Sequence, residues 1–427
     1  MKVLVISHNV FSKSDNMGRT LYDMFESWNA DDIAQLYVHS EVPNTDVCNE
    51  YYRVTDVDMV KSIFTRKSGT VLNENDIEIT KESSRTDEGM LGDIYQAGRK
   101  RTPLIYMMRN LVWRLGAWNT KKLKNWLDEV NPDVIFFISG DYSFLYRIAL
   151  KIAESRGIPL VVSCMDDFYL NNINEGAFLG GISFRMFMKQ AKKALNYASA
   201  ITCISDKMSQ DYSELFKKKT YTLHKPASAI KALGEPLNRD MVYVGNISNH
   251  RHEQLINIGR ALQKLKLDNM PDAVTVYSKE KNSEILKAME NEPGIRYMGG
   301  ISKDEADKIV SECYAAIHTE SFDEYYREKV KYSVSTKISD SLGSGACIFA
   351  YGPEEVASIS YLKDNDAAIV VNSEEKLEGA LRELYSDRER RNEILLNARN
   401  LAKKNHDIEK NKEYIYNVFS ECIKERQ

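Results

Sequence analysis

The residues best suited to chemistry lie between positions 335 and 350, where a predicted helix begins and a glycine-rich turn ends it. Ser335 or Thr336 would cap this helix, which places Lys337 in its first turn. A cation there opposes the helix dipole, so a bound phosphate explains it better than a plain helix–turn–strand segment does. Asp340 lies one turn later and could accept hydrogen bonds from ribose hydroxyls.

Two other loops place a glycine between a predicted strand and a helix. Gly245 and Asn246 directly follow a strand and Arg251 lies near the next helix start, so amides and a guanidinium could converge on a diphosphate. Gly18 opens a helix after the first strand, where an anion is also favoured. Two alternatives stay open, a solvated surface role for Arg251 and an ordinary turn role for Gly18. Neither GxGxxG nor GxxxxGK[ST] occurs, which counts against a dinucleotide dehydrogenase and a P-loop enzyme.

Carboxylates follow two predicted strands of the first half. Asp166 and Asp167 come after the strand at 160–163, and Asp141 comes after the strand at 134–138. One of these carboxylates could orient or deprotonate a substrate hydroxyl. Capping of the next segment is an equally open interpretation.

The elements that must position these residues alternate between short apolar runs and longer helical stretches. This βαβ pattern predicts an α/β protein with two doubly wound domains facing a central cleft, and ligands at the carboxyl ends of the strands. We predict domains at 1–225 and 238–405, joined by a linker that contains Pro226, Gly234 and Pro236. The predicted strands lie at 3–6, 34–39, 134–138, 160–163 and 200–204, then at 241–244, 274–277, 295–298, 315–318, 347–351 and 368–371.

Two segments depart from the alternating pattern. Residues 53–98 are polar and poorly periodic, which predicts an insertion or mobile loop near the rim of the first domain. The last 40 residues are predicted to be helical and need not belong to the second sheet.

Composition narrows the class of protein. The 427 residues carry 58 Lys and Arg against 62 Asp and Glu, a balance that argues against a surface devoted to nucleic acid. The six cysteines form no CxxC motif, which indicates reduced thiols and no structural zinc. The first apolar run is too short for a signal peptide and the longest one, 134–138, is too short to span a bilayer. We therefore expect a protein that is neither secreted nor membrane-spanning.

A basic stretch at 99–127 stands out in this acidic chain. It contains no acidic residue, and an apolar stripe at helical spacing runs through it, with Trp113, Trp118 and Trp126 interspersed. A basic amphipathic helix with tryptophans is typical of binding to anionic lipid, although such a stripe more commonly packs on a sheet. The cations are Arg99, Lys100, Arg101, Arg109, Arg114, Lys121, Lys122 and Lys124; the stripe is Leu104, Met107, Met108, Leu111, Val112 and Leu115.

Taken together, several segments resemble the family 4 glycosyltransferases of the GT-B fold. The resemblance covers most of the chain apart from 53–98, and it implies two Rossmann-like domains and a final helix at 407–427 that packs on the first domain. It also implies a metal-independent and cofactor-free transfer from a nucleotide-diphosphate sugar with retention at the anomeric carbon. The segments are Met241-Val242-Tyr243-Val244-Gly245-Asn246, Thr336-Lys337 with Asp340, Leu342 and Gly345, Val5-Ile6-Ser7-His8 with Gly18, and Asp133-Val134-Ile135-Phe136 with Ile158-Pro159-Leu160.

The resemblance also implies roles for individual residues. Gly245 and Arg251 would hold the donor diphosphate, Gly18 would approach it from the other domain, and Asp340 would bind the ribose. Where the family has a Lys after its Arg this chain has His252, which leaves Lys337 to supply the second cation. The base would contact the backbone around the turn Met298-Gly299-Gly300. The complete predicted donor set is Gly18, Gly245, Asn246, Arg251, Met298, Gly299, Thr336, Lys337 and Asp340.

The paired glutamates of the family are not matched cleanly. Tyr332 stands eight positions before Asp340, and Glu320 and Glu328 share the family spacing only by accident. Glu320, directly after the strand that ends at His318, is the predicted acid for the donor sugar, with Glu324 and Glu328 as competitors. Glu320, Asp166, Asp167 and Asp141 form the predicted catalytic set.

The resulting prediction is a retaining glycosyltransferase that moves a hexose or N-acetylhexosamine, with a UDP-sugar favoured as donor, to a glycan or polyprenyl-linked acceptor. It would be cytoplasmic or peripheral on the inner membrane face, bind no metal, and have no nucleic-acid partner. Two alternatives are a nucleotide-sugar 2-epimerase, and a catalytically silent GT-B protein that binds a glycan or chaperones a partner.

Overall fold

The computed structural model describes residues 1–13, 16–72, 103–170, 178–267 and 269–426. The chain divides into two compact units, each with its own sheet. The first unit is Met1–Leu223 with Lys412–Gln427, and the second is His224–Asn411. Both units have the α/β architecture that the sequence predicts.

The sheet of the first unit has eight strands in the order β4-β3-β2-β1-β5-β6-β7-β8. All neighbours are parallel except β3 and β4. Every residue of β1, β2, β5, β6 and β7 is buried, because both faces of the sheet are covered, and this explains their continuous apolar runs. The strands are β1 Val3–Ser7, β2 Ile33–Tyr37, β3 Glu50–Arg53, β4 Thr70–Leu72, β5 Val134–Ile138, β6 Leu160–Cys164, β7 Ala200–Cys203 and β8 Thr220–Thr222.

The helices of the first unit include the last helix of the chain. Ile415 and Phe419 lie in the same buried cluster as Val3, and the rings of Phe419 and Phe136 are 5.3 Å apart. The helices are α1 Asn16–Phe25, α2 Asp56–Thr65, α3 Pro103–Leu115, α4 Lys121–Val130, α5 Ser143–Arg156, α6 Phe178–Tyr197, α7 Asp206–Phe216 and α16 Ile408–Lys424.

The structure corrects part of the predicted insertion. Residues 53–98 were expected to be an insertion or mobile loop, but helix α2 and strand β4 lie within this range, and β4 is the edge strand of the sheet. The sequence shows no clear hydrophobic pattern for these two elements, because the strand is short and α2 has only two buried residues, Met59 and Ser62. The remainder of the predicted insertion lies outside the described residues.

The sheet of the second unit has six parallel strands in the order β11-β10-β9-β12-β13-β14. The chain runs outward from β9 to β11 and then returns to place β12 on the other side of β9. Ligands bind beyond the carboxyl ends of the strands at such a switch point. The strands are β9 Met241–Val244, β10 Val274–Tyr277, β11 Ile295–Tyr297, β12 Ala315–Thr319, β13 Cys347–Tyr351 and β14 Ile369–Val371.

The predicted linker at 225–238 is part of the second unit. Backbone amides of Ala227, Lys231 and Leu237 donate to carbonyls of that unit at 2.8, 2.8 and 3.0 Å. A proline-containing stretch without periodicity is therefore ordered here by its backbone hydrogen bonds. The helices of this unit are α8 Arg251–Leu265, α9 Ser283–Glu290, α10 Lys303–Glu312, α11 Glu324–Val330, α12 Thr336–Ser344, α13 Ala357–Asp364, α14 Leu377–Ser386 and α15 Arg388–Asn405.

None of the helices in the described ranges combines the length and the apolar character needed to cross a bilayer. All six cysteines are buried, and none is in a disulfide.

Candidate active site

The candidate site lies at the switch point of the second sheet, beyond the carboxyl ends of β9 and β12. Asn249 and His250 take left-handed backbone conformations, with φ of 57° and 58°, and turn the loop after β9 into α8. Arg251 is therefore the first residue of that helix. Glu320 follows β12 directly, and its amide donates to the carbonyl of Tyr351 at 3.1 Å.

Arg251 and Glu320 form a bidentate ion pair. Arg251 Nε lies 3.0 Å from Glu320 Oε2, and Nη2 lies 2.8 and 3.1 Å from the two carboxylate oxygens. The Glu320 side chain is only 4% exposed and that of Arg251 17%. Burial raises the pKa of the Glu320 carboxyl, although Arg251 and Lys337 act in the opposite direction. In the described residues no partner engages Nη1 of Arg251, whose hydrogens are available to an anion.

Lys337 brings a second cation to the same place. Its side chain lies across Gly245, where an added Cβ would be 1.5 Å from Lys337 Nζ. Gly245 has a φ of +149°, so both its backbone and the space above it require glycine. The ammonium also lies 5.5 Å from the centre of the Tyr243 ring. No carboxylate within the described ranges forms an ion pair with Lys337.

Burial and neighbouring charges both change the pKa of Lys337. The surrounding protein atoms and the nearby Arg251 lower the pKa of Lys337 to about 8, while Glu320 raises it. Part of the side chain is still exposed to solvent. Two cations with only one carboxylate between them leave a positive charge that suits an anion, and an anion here would stabilise the charged form of the lysine.

His318 is a member of this group that the sequence analysis did not identify as functional. It precedes Glu320 by two residues, so both side chains project to the same side of the extended chain. Its Nε2 lies 3.6 Å from Glu320 Oε1 and has no hydrogen-bond partner, although the residue is only 9% exposed. Burial, with Arg251 and Lys337, lowers the pKa of His318 to about 3. A neutral imidazole therefore faces the charged group.

A cavity of about 490 Å³ adjoins the cations and shares Gly245 with them. The loops after β9, β10 and β11 form its walls. Of the turn predicted to contact the base, Gly300 lines the cavity, whereas Met298 and Gly299 do not. Gly299 instead shapes the turn, since its carbonyl accepts from the Ser278 amide at 2.9 Å. The lining residues are Val244, Gly245, Asn246, Ser248, Tyr277, Ser278, Lys279, Glu280, Lys281, Gly300 and Ile301.

Comparison with known proteins identifies the family of the chain. Residues 79–225 match the model of Glycosyltransferase Family 4, and residues 259–417 match that of a glycosyl transferase-like family. Together they match more than half of the chain. The chain belongs to the family 4-like glycosyltransferases of the GT-B fold.

Solved structures share the fold of this glycosyltransferase at low sequence identity. HepE of Anabaena in complex with UDP has a TM-score of 0.61 at 12% identity, over 99% of this chain and 100% of that one. Sucrose-phosphate synthase of Thermosynechococcus elongatus has a TM-score of 0.62 at 8% identity, over 98% of both chains. A trehalose-6-phosphate protein of E. coli bound with UDP-2-fluoro glucose has a TM-score of 0.59 at 11% identity, over 98% and 99% of the chains. No curated protein matches the sequence.

Asp340 of this glycosyltransferase has protein partners that the sequence could not indicate. Its oxygens accept from the Ser228 amide and hydroxyl at 3.0 Å, and lie 3.1 Å from Lys303 Nζ and 3.4 Å from Lys225 Nζ. Burial alone would raise the pKa of Asp340, but the two lysines hold it below its usual range. The ribose contact predicted for Asp340 would have to compete with these donors.

The start of α12 differs from the prediction in one detail. Ser335 is the N-cap residue, but its side chain makes no capping hydrogen bond, and Thr336 is exposed. The first amides of the helix consequently lack that side-chain acceptor, which leaves them open to an anionic ligand.

The predicted residues of the first unit have structural partners as well. An added Cβ on Gly18 would lie 2.5 Å from the carbonyl oxygen of Val10. The glycine therefore allows the loop that precedes α1 to pass close to this helix. Asp167 is buried and accepts from two following amides and, at 3.0 Å, from the Tyr212 hydroxyl, as the capping interpretation of this residue requires. Asp166 is exposed, and Asp141 accepts from the Tyr106 hydroxyl at 2.5 Å. The ligand roles of these residues stay predictions.

The carboxyl end of β1 carries a further group that the sequence analysis missed. His8 Nε2 lies 3.1 Å from Arg109 Nη2, and its ring stacks on Tyr142 with centroids 4.4 Å apart. Arg109 also pairs with Asp56 at 2.9 Å. Burial and Arg109 lower the pKa of His8 to about 3. Such a set of aromatic and polar side chains at a strand end is suited to a sugar.

Within the described ranges, no three His, Cys, Asp or Glu side chains are grouped as a metal site would require.

Proposed function

We propose that the protein is a retaining glycosyltransferase that moves a hexose or N-acetylhexosamine from a nucleotide-diphosphate sugar to a glycan or lipid-linked glycan. The observation that carries the proposal is the convergence of Arg251 and Lys337 beside Gly245, at the edge of a cavity of about 490 Å³. This arrangement suits a diphosphate whose nucleoside lies in the cavity.

A UDP-sugar is the favoured donor. Similar folds were solved with UDP and UDP-glucose in HepE, and with UDP-2-fluoro glucose in the E. coli protein. The cavity wall at Gly300 and Ile301 would contact the base, and the backbone at Gly245 the phosphates.

The proposed chemistry breaks the bond between the anomeric carbon and the diphosphate oxygen. Negative charge develops on the leaving diphosphate, and Arg251, Lys337 and the α12 amides are fixed in place to stabilise it. The acceptor oxygen bonds to the anomeric carbon on the face from which the diphosphate leaves, and its proton passes to the diphosphate. With these two cations present, the proposal needs no metal.

Two groups of side chains would orient the sugars. We propose that Glu320 contacts the donor sugar, while it also holds the guanidinium of Arg251, with the neutral ring of His318 3.6 Å away. On the acceptor side we propose Asp141 and Asp166, with the group around His8.

We further propose a cytoplasmic location. Six buried, unbridged thiols are typical of a reducing compartment. A lipid-linked acceptor would bring the enzyme to the inner face of the membrane.

The test is a thermal-shift panel of UDP-, GDP-, CDP- and TDP-sugars on the wild type, on Lys337→Met, and on the exposed-surface control Lys308→Met. A donor-specific rise in melting temperature that only Lys337→Met loses would support the proposal and name the nucleotide. Product analysis then separates the alternatives. Donor consumption without acceptor would indicate an epimerase, and binding without turnover would indicate a silent GT-B protein.

A further inference from the structure

Helix α3 exposes a continuous apolar stripe. Leu104, Met108, Leu111 and Leu115 are between 49% and 57% exposed. They recur at three- and four-residue intervals, which places them within an arc of about 60° on a helix that turns about 100° per residue.

The opposite face of α3 already supplies the packing of this helix. Trp113 is fully buried and donates from Nε1 to Asp56 at 2.6 Å. The Trp113 carbonyl accepts from Arg147 at 2.6 Å, and Asn110 accepts from Ser143 at 2.6 Å. The packing of α3 against the rest of the first unit therefore does not depend on the exposed stripe.

The three tryptophans of the basic stretch are not part of this stripe. Trp113, Trp118 and Trp126 are at most 8% exposed, so none of them is available to a lipid surface. Their indole rings fill the interior, and any contact with a membrane falls to the aliphatic side chains.

The neighbouring helix α2 exposes further apolar groups. Asp56 of α2 bonds Arg109 and Trp113 of α3, so the two helices are tied together. On α2, Phe64 is 87% exposed and Val60 49%. We refer to Val60, Phe64, Leu104, Met108, Leu111 and Leu115 as the α2–α3 face.

Among the described residues, the cations near this face have no acidic partner. Lys61 lies in the middle of α2, Arg66 and Lys67 directly follow it, Arg114 lies in the last turn of α3, and all four are exposed. No carboxylate of the described residues forms an ion pair with any of these four, whereas Arg109 is paired with Asp56. In a chain of net charge −4, this is a local excess of positive charge.

We infer that the α2–α3 face docks on an anionic lipid bilayer. The aliphatic side chains and Phe64 would enter the boundary between headgroups and acyl chains, while the four cations contact lipid phosphates. A bilayer fits better than a second copy of the chain, because a copy would place the same unpaired cations against one another.

The test is co-sedimentation of the full chain with phosphatidylcholine vesicles, with and without phosphatidylglycerol. We expect binding only with phosphatidylglycerol, and its loss at raised salt. The double variant Met108→Ser/Leu111→Ser, and Phe64→Ser separately, should each lower the partition coefficient about tenfold or more, since each removes buried apolar surface. Leu396→Ser, at a side chain 49% exposed on α15, is the matched control and should bind as wild type does.

Charge is tested by Lys67→Glu and Arg114→Glu, each expected to lower partition about fivefold or more. Lys404→Glu on α15 is their control.

Equal binding to both vesicle types, or binding unchanged in the α2–α3 variants, would overturn the inference. So would a wild-type dimer in sedimentation velocity that Leu111→Ser dissociates, which would assign the face to a second copy. Vesicle binding requires no nucleotide sugar, so this inference and the proposed function can fail separately.

Discussion

The ammonium of Lys337 occupies the space that a side chain at position 245 would fill. An added Cβ would lie 1.5 Å from Nζ and 2.5 Å from Cε. A glycine after β9 and a lysine at the start of α12 thus form one structural feature, although 92 residues separate them in the sequence. The glycine makes room for the cation, which in turn lies beside Arg251.

Gly245→Ala should therefore abolish the cation pair. The new methyl group would displace Lys337, and a φ of +149° strains any L side chain. We expect UDP affinity to fall about tenfold or more and the unfolding free energy by about 1–3 kcal/mol. Gly379→Ala is the control, because its Cβ would meet nothing within 4 Å. Titration calorimetry with unchanged UDP affinity in Gly245→Ala would contradict the proposed role of Lys337.

Removal of one member of the Arg251–Glu320 pair should destabilise the second unit more than removal of both. Arg251→Met leaves a buried carboxylate without its partner, at a cost of about 3–5 kcal/mol. Arg251→Met/Glu320→Gln should recover part of this in urea denaturation. Arg260→Met, which breaks the exposed pair with Glu292, should cost less than about 1 kcal/mol. Strictly additive effects of the two substitutions would show that the pair is not coupled.

UDP affinity should depend on the protonation of Lys337. Its pKa of about 8 in the free protein means that the charged form is lost as pH rises through that value. A bound diphosphate favours the charged form, so the dissociation constant should be flat from about pH 7, where the terminal phosphate of UDP is ionised, to about pH 8, and should rise above it. Lys337→Arg should remain flat through this range. A wild-type constant that does not change across pH 8 would contradict the coupling of UDP binding to a proton on Lys337 in this range.

His318 should lower the free energy of unfolding of the protein in acid. Its pKa falls from an ordinary 6.5 to about 3 on folding, so the unfolded chain binds more protons between these values. Stability from this residue is present above pH 6.5 and is lost as pH falls towards 3. His8 and His406 are lowered to about 3 as well, so the test compares the unfolding free energy of His318→Phe with the wild type across this range. The wild type should lose stability faster on acidification, and parallel curves would contradict the assignment.

The sequence predicts well what depends on local pattern. The buried central strands appear in the sequence as apolar runs, and the phosphate contact that the position of Lys337 predicts stays a prediction. Short β4 and the mostly solvated α2 lack such a pattern. His318 was missed because a single histidine in an apolar strand is usually an ordinary core residue.

Other features depend on partners distant in the chain. Lys225 and Lys303 reach Asp340 across 115 and 37 positions, and no local spacing reveals this. The stripe of α3 was visible, but Trp113 lies on the buried face of this helix and Leu111 on the exposed one, and only the fold determines which face is buried.

The most direct test of the central claim compares UDP with uridine by titration calorimetry, on the wild type and Lys337→Met. If the diphosphate is held by Lys337 and Arg251, the wild type should bind UDP about a hundredfold or more tightly than uridine. Lys337→Met should reduce that ratio about tenfold without weakening uridine. An unchanged ratio in Lys337→Met would show that the diphosphate does not bind at these cations.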